Sequence, residues 1–358
     1  MQTQSNKLDF TGQKIYVGCD VHKKSWSVSI MSENLFLKTF SQPAKPEALV
    51  NYLFKNYPGA EYYSAYEAGF SGFWIHHKLI SYGINSIVVN AADIPTTGKE
   101  FVMKEDARDS LKIAKALRGN LLKSIHVPSP ATIDERGLVR SRCTATKELA
   151  RNKNRVKSFL NLHGIEIPEN FKSGSITWAK NFIEWLKSIE FETSYAKETL
   201  NNQIENCIAI KNSKLKITRQ IFALSKTEKY QENVALLRTV PGIGITTSMQ
   251  LLVELESVNR FKNLDKFLSF IGFIPATHSS GEKDRTGRIT PRGHGILRSA
   301  LVESAWIAIR RDPALIIKYE QLMKQMNSQR AIVRIAKKLL SRIYFVLKNK
   351  RPYKNGIM

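Results

Sequence analysis

The sequence predicts an α/β domain at the amino end followed by a long, mostly helical remainder. Three observations predict this. Short apolar runs with period-two alternation fill the stretch up to Asn90. Beyond residue 130 the apolar residues recur at helical spacing. Between 130 and 236 glycine and proline are scarce except at a break spanning Gly164–Gly174.

Each element follows from local pattern. The run Ile15-Tyr16-Val17-Gly18-Cys19 alternates and ends at Asp20, predicting a strand over Ile15–Val21 that turns through His22-Lys23-Lys24. Strands Trp26–Met31 and Leu35–Phe40 come next. Pro46 suits a helix start, because its fixed φ and missing N–H cost nothing in the first turn. Leu49, Leu53 and Tyr57 share one face of the helix it opens. The run Tyr62-Tyr63-Ser64-Ala65-Tyr66 predicts a strand ending at Glu67, followed by helix Gly72–Tyr82, strand Ser86–Asn90 and helix Lys104–Leu117. Three antiparallel strands and then alternating helices and strands is the order of an RNase H-like fold, so that fold is expected for residues 12–128.

Four carboxylates stand at telling places in that order. Asp20 and Glu67 close two strands, and strand ends of open α/β sheets converge on sites at one edge. Asp106 and Asp109 are three apart, which places both on one helical face. Together they make a hard oxygen cage suited to Mg²⁺, the layout of a metal-dependent phosphodiester site.

Charge points the same way. Among 358 residues, Lys+Arg number 55 against 31 Asp+Glu, a net +24 that calls for a polyanionic partner such as DNA or RNA. No run approaches the ~20 apolar residues that span a bilayer. The polar start Met1-Gln2-Thr3-Gln4-Ser5 is unlike a signal peptide, so a cytoplasmic protein without a membrane partner is expected. Cys19, Cys143 and Cys207 are isolated and odd in number, as reduced packing residues would be.

Residues 129–236 read as a coiled-coil-like segment of two or three long helices over Ile133–Leu162 and Trp178–Leu224, in an antiparallel hairpin used for association; a plain helical linker is the alternative. Residues 237–358 read as a mostly α domain. Leu236–Thr247, with Pro241-Gly242-Ile243-Gly244 at its centre, resembles a helix-hairpin-helix. Gly242 and Gly244 would allow the tight turn and free backbone N–H groups for a phosphate. The next segment, from Pro275 to His294, combines Ser279, Ser280 and glycines with Arg285, Arg288 and Arg292, and Arg298 follows. On its residues alone it is a flexible phosphate-contacting loop, and a nucleophilic serine is the minority reading.

The motifs taken together resemble the DEDD-type insertion-sequence transposases, relatives of the Piv DNA invertase. Tyr16-Val17-Gly18-Cys19-Asp20-Val21-His22-Lys23 is similar to the first acidic motif of that family. Tyr66-Glu67-Ala68-Gly69 resembles the second, and Lys104-x-Asp106-x-x-Asp109 the paired aspartates. Pro241-Gly242-Ile243-Gly244, Ser279-Ser280-Gly281, Gly287-x-Ile289-Thr290-x-x-Gly293 and Leu297-Arg298 resemble the carboxy-terminal transposase domain. The resemblance implies a RuvC-like first domain and a catalytic serine at Ser280, with Ser279 the less favoured position. It implies double-stranded target and donor DNA as substrates, a structured noncoding RNA pairing with both, and an oligomer, dimer to tetramer, with shared active sites. Glu105 and His294 depart from the family pattern, which often has a small polar residue and an Asn there.

The expected function is therefore DNA transposition, cutting and rejoining strands with a Mg²⁺-bound acidic site of Asp20, Glu67, Asp106 and Asp109 and the Ser280 nucleophile. A Holliday-junction-type resolvase would hydrolyse with the acids alone, and a nonenzymatic nucleic-acid binder would keep the charge and the helix-hairpin-helix while the acids merely caged a structural ion. An actin-like kinase ranks last, because Gly18-Cys19-Asp20 has no partner phosphate loop.

Overall fold

A computed structural model describes residues 9–95, 105–172, 178–280, 283–289 and 293–355, with backbone alone for 276–280 and 283–288. The chain divides into two compact units, Met1–Pro130 and Ala131–Met358.

The first unit is α/β. Its described elements are β1 (Lys14–Val21), β2 (Ser25–Met31), β3 (Phe36–Pro43), α1 (Pro46–Asn56), β4 (Glu61–Glu67), α2 (Trp74–Ser81), β5 (Asn85–Val89) and α3 (Asp106–Arg118). The sheet order is β3-β2-β1-β4-β5. β2 is antiparallel to β1 and β3, whereas β1, β4 and β5 run parallel. The period-two pattern explains the core: Ile15, Val17, Val28 and Ile30 are fully buried, and Leu49 and Leu53 bring α1 onto them. β3 runs on to Pro43, past the expected Phe40, other element ends shift by a residue, and two helix starts differ from the sequence expectation. α2 starts at Trp74, because Gly72 has φ +59°, which a helix cannot take. α3 starts at Asp106, with Glu105 extended before it; Lys104 lies outside the described residues.

One glycine positions the site. A Cβ on Gly18 would stand 2.1 Å from the Ser110 carbonyl oxygen and 2.4 Å from the Ala114 nitrogen. The backbone of α3 therefore lies directly on β1, closer than any side chain would allow. Ser110, fully buried, adds hydroxyl bonds to Ser29 at 2.8 Å and Ser27 at 3.1 Å. This seating brings the acidic first turn of α3 to the end of β1.

The second unit is mostly helical. It holds α4 (Pro130–Leu162), α5 (Lys180–Ser188), α6 (Ser194–Leu224), α7 (Glu228–Arg238), α8 (Ile245–Leu255), α9 (Leu264–Ile271), α10 (Gly295–Ala308), α11 (Pro313–Met323) and α12 (Ser328–Asn349). α4 and α6 run antiparallel: Arg142 Nε donates to Thr218 Oγ1 at 2.9 Å, and at the opposite end Leu160 shares a core with Leu200 and Ile204. The stretch Trp178–Leu224 holds two helices, parted from Ile189 onward; Ile189 takes extended backbone. With α4 these make three, within the two or three expected, although α5 is short. Val139 and Ile221 carry the near ends of α4 and α6 into the main core, built around Ile335, Leu339 and Ile343 of α12.

The segment expected to be a flexible loop contains a hairpin. β6 (Pro275–Ser280) pairs antiparallel with β7 (Lys283–Ile289), and Ser280 stands opposite Lys283. Gly281-Glu282, which lie outside the described residues, are in sequence a Gly-X pair, a recognised hairpin signal. Reading the glycines and hydroxyls as a loop overlooked that signal. Among the described residues no helix is long and apolar enough to cross a membrane.

Candidate metal and nucleic-acid site

Asp20 sits at the end of β1, and Cys19 beside it is in register with Tyr66 of the parallel β4. Asp20 and Glu67 therefore follow at the same end of adjacent strands. α3 delivers Asp106 and Asp109 in its first turn. The side chains that meet are Asp20, Asp106 and His22. His22 Nε2 lies 3.1 Å from Asp20 Oδ2 and 3.4 Å from Asp106 Oδ2. One ligand atom from each of the three falls within 4.8 Å of the others. Glu67 and Asp109 are not part of that triad. Asp109 pairs with Lys112 at 3.4 Å, and Glu67 is exposed at its strand end.

His22 was missed in the sequence reading, although a signal existed. Two residues after Asp20 in extended backbone, its side chain falls on the same side as the carboxylate.

The electrostatics suit a cation. Burial raises the Asp20 carboxyl above the usual range; His22 opposes this, and the like charges of Asp106 and Asp109 add to it. Such a group favours any added positive charge nearby. The two spacings from His22 fit as well. Neighbouring ligands of a six-coordinate ion at about 2.1 Å stand roughly 3 Å apart, close to the observed 3.1 and 3.4 Å. Two carboxylates and an imidazole accept Mg²⁺ or Mn²⁺, the imidazole favouring the latter. Cys19 is no ligand: burial pushes its thiol up to about 12.

The second unit places its named residues less completely. Ser279 and Ser280 belong to β6, and Arg285 and Arg288 to β7, but their side chains lie outside the described residues, as does all of Arg292. Arg298 Nη1 donates to the Gly272 carbonyl at 3.3 Å, a bond within the fold. Gly242 has φ +81°, and a Cβ there would stand 2.2 Å from the Ser304 carbonyl oxygen. Packing of the α7–α8 turn against α10 thus suffices to require it. Gly244, the residue before α8, has ordinary extended backbone and open space around it.

Comparison with known proteins decides the family. Residues 17–165 match the model of the DEDD transposases of IS110 elements, and residues 234–320 match that of the IS116/IS110/IS902 transposase family. The chain belongs to the IS110-type DEDD transposases. The first match spans Asp20, Glu67, Asp106 and Asp109, and the second spans the α7–α8 turn and the hairpin. The transposase of insertion element IS1533 from Leptospira borgpetersenii is 27% identical over 97% of this chain and 99% of its own length. A protein of Sinorhizobium fredii designated y4qE, provisionally named a transposase, is 27% identical over 68% of this chain; the match spans 58% of that relative's length. A pilin gene-inverting protein from Moraxella bovis is 31% identical over 138 residues, 37% of this chain and 42% of its own.

Proposed function

We propose that this transposase cuts and rejoins DNA with an acidic metal site in its first unit and a serine of its second. The observation that carries the reading is the meeting of Asp20, His22 and Asp106 at the end of β1, seated by Gly18 under α3. Sheet order β3-β2-β1-β4-β5 supports an RNase H-like, RuvC-like domain over 12–128. The antiparallel α4 and α6 support an association segment within 129–236, and the α7–α8 turn a helix-hairpin-helix within 237–358.

In this reading Asp20, Glu67, Asp106 and Asp109 hold Mg²⁺, with His22 beside them. The ion would supply the charge that steadies the attacking and leaving oxygens of an in-line displacement. Ser280 Oγ forms a bond to phosphorus as the backbone P–O bond breaks; its proton passes to a carboxylate, and the departing sugar oxygen is protonated. The phosphoserine link keeps the energy of the broken bond. A second strand's hydroxyl can then attack it, restoring the serine without ATP. Arg285, Arg288, Arg292 and Arg298 and the turn at Gly242 and Gly244 contact phosphates. The net charge of +24 and the lack of a recognisable base-reading motif support a structured noncoding RNA that pairs with target and donor DNA. Association into a dimer or tetramer would let one protomer supply acids and another the serine.

A nicked suicide DNA incubated with the protein, its RNA and Mg²⁺ tests this. A DNA adduct mapped to Ser280 by peptide mass is the expected result. Cleavage without any adduct would instead mean hydrolysis, the resolvase reading.

A further inference from the structure

A second cluster of charge lies far along the sequence from the acids and has no part in the chemistry above. Glu254, on α8, is only 4% exposed. Its carboxylate accepts two bonds from Arg140 of α4, at 2.6 and 2.9 Å. Arg136 Nε, one turn earlier on α4, stands 3.2 Å away. The remaining partner comes from elsewhere: His294 Nε2 lies 3.0 Å from Glu254 Oε2.

His294 stands where the chain leaves the hairpin. Its backbone N–H donates to the Ile271 carbonyl at 3.1 Å, and its Nδ1 accepts from the Leu297 N–H at the start of α10. An accepting Nδ1 leaves Nε2 as the donor toward Glu254. Gly293 is pressed on Gly272, where a Cβ would stand 2.6 Å from the Gly272 Cα. Both strands of the hairpin thus start from one knot, Gly272 leading into β6 and Gly293 closing the return from β7. The knot is tied to α8 and α4 through the Glu254 carboxylate.

We propose that Glu254 and His294 are positioning residues for the β6–β7 hairpin, fixing the strand that carries Ser280 to the helical body. The proposal rests on the serine reading for its catalytic consequence, though not for its structural one. The carboxylate suits this work because its partners come from two separate parts of the fold, α4 and the segment at His294, and outweigh its burial. Charge-assisted bonds of that kind are short and directional. A hairpin free to shift would misplace its serine, and a displacement of about 1 Å costs on the order of 100-fold in rate.

The test compares Glu254→Gln and His294→Ala with Asp312→Asn, in the full-length protein with its RNA, Mg²⁺ and suicide DNA. Asp312 is buried and paired with Arg342 at 2.7 Å, so it serves as a purely structural loss in the same core. Three readouts are taken: melting temperature, single-turnover adduct formation, and amide exchange over 275–280 and 283–289. The expected result is a ~100-fold slower adduct step and at least ~10-fold faster hairpin exchange in both hairpin variants, with DNA affinity unchanged. Asp312→Asn should lower the melting temperature alone. If folded Glu254→Gln or His294→Ala keeps wild-type exchange and rate, or all three variants behave alike, the positioning role is overturned. If the wild-type protein forms no serine adduct, the serine reading falls, and hairpin exchange with the single-turnover cleavage rate still decides the role of Glu254.

Discussion

Two carboxylate clusters in this protein sit in opposite surroundings. Around Asp20 the neighbours are mostly of like charge, Asp106 is 63% exposed, and the Asp20 carboxyl is raised. Around Glu254 the neighbours are Arg136, Arg140 and His294. Burial alone would raise Glu254, but the bonds from His294 and Arg140 outweigh it and hold the group at about 2. The first cluster is short of positive charge, as a site for a cation must be. The second is already neutralised, as a structural tie must be. A carboxylate thus meets opposite electrostatics according to what the fold places around it.

The largest expected effect is on chemistry. Asp106→Asn and Ser280→Ala should each reduce strand cleavage to background in a protein that melts normally, measured with Mg²⁺ and labelled DNA. Mixing the two variants should restore part of the cleavage, since some assemblies would pair intact acids with an intact serine. Mixtures that stay inactive after subunit exchange would defeat the shared site.

The Glu254 cluster should show itself in stability against pH. Its folded value of about 2 lies below the ordinary 4.5, a gap of 4.5 less 2, or about 2.5 units, worth roughly 3 kcal/mol. Because the folded value is depressed, this contribution is complete above pH 4.5 and is lost as pH falls toward 2. Glu254→Gln should flatten that part of the acid limb in chemical denaturation. An unchanged limb would show that the ion pairs contribute nothing net.

Smaller effects sharpen the contrast at the acids. His22→Ala should weaken Mn²⁺ binding about ten- to a hundredfold by calorimetry, the range for losing a partner that orients a metal site. Equal affinity would place His22 outside the coordination. Asp20→Asn should leave stability unchanged or raise it by less than ~1 kcal/mol without metal, because it removes the burial cost of the charged carboxylate and the smaller repulsion from Asp106 and Asp109. The sign follows from its raised value: ionised Asp20 disfavours the fold, so its deficit grows as pH rises through that value. A clear loss of stability in Asp20→Asn would mean that the group is already compensated.

Much of this was legible along the chain. Period-two alternation marked β1 and β4, and with them Asp20 and Glu67, because sheet burial imposes that pattern on neighbouring residues. Spacing marked the acidic face of α3 for the same local reason. His22 did not stand out, since its meaning depends on Asp106 arriving from 84 positions away across the seat at Gly18. The hairpin at β6 and β7 was hidden by its composition, rich in residues that also make loops. Gly242 was read for its turn, while its contact with Ser304 belongs to a helix some sixty residues on.

By itself the sequence determined most of the elements, though not the β6–β7 hairpin, together with the α/β-then-helical order, the basic charge and the positions of the acids, since each is set by residues within a few turns of one another. Only the tertiary structure decided which carboxylates meet and which are neutralised. Those outcomes rest on close backbone contacts at Gly18, Gly242 and Gly293, on bonds that Arg136 and Arg140 make across more than a hundred residues, and on the bond from His294 where the chain leaves the hairpin. Desolvation and Coulomb attraction act through space, and the order of residues along a chain does not record which distant groups will share that space.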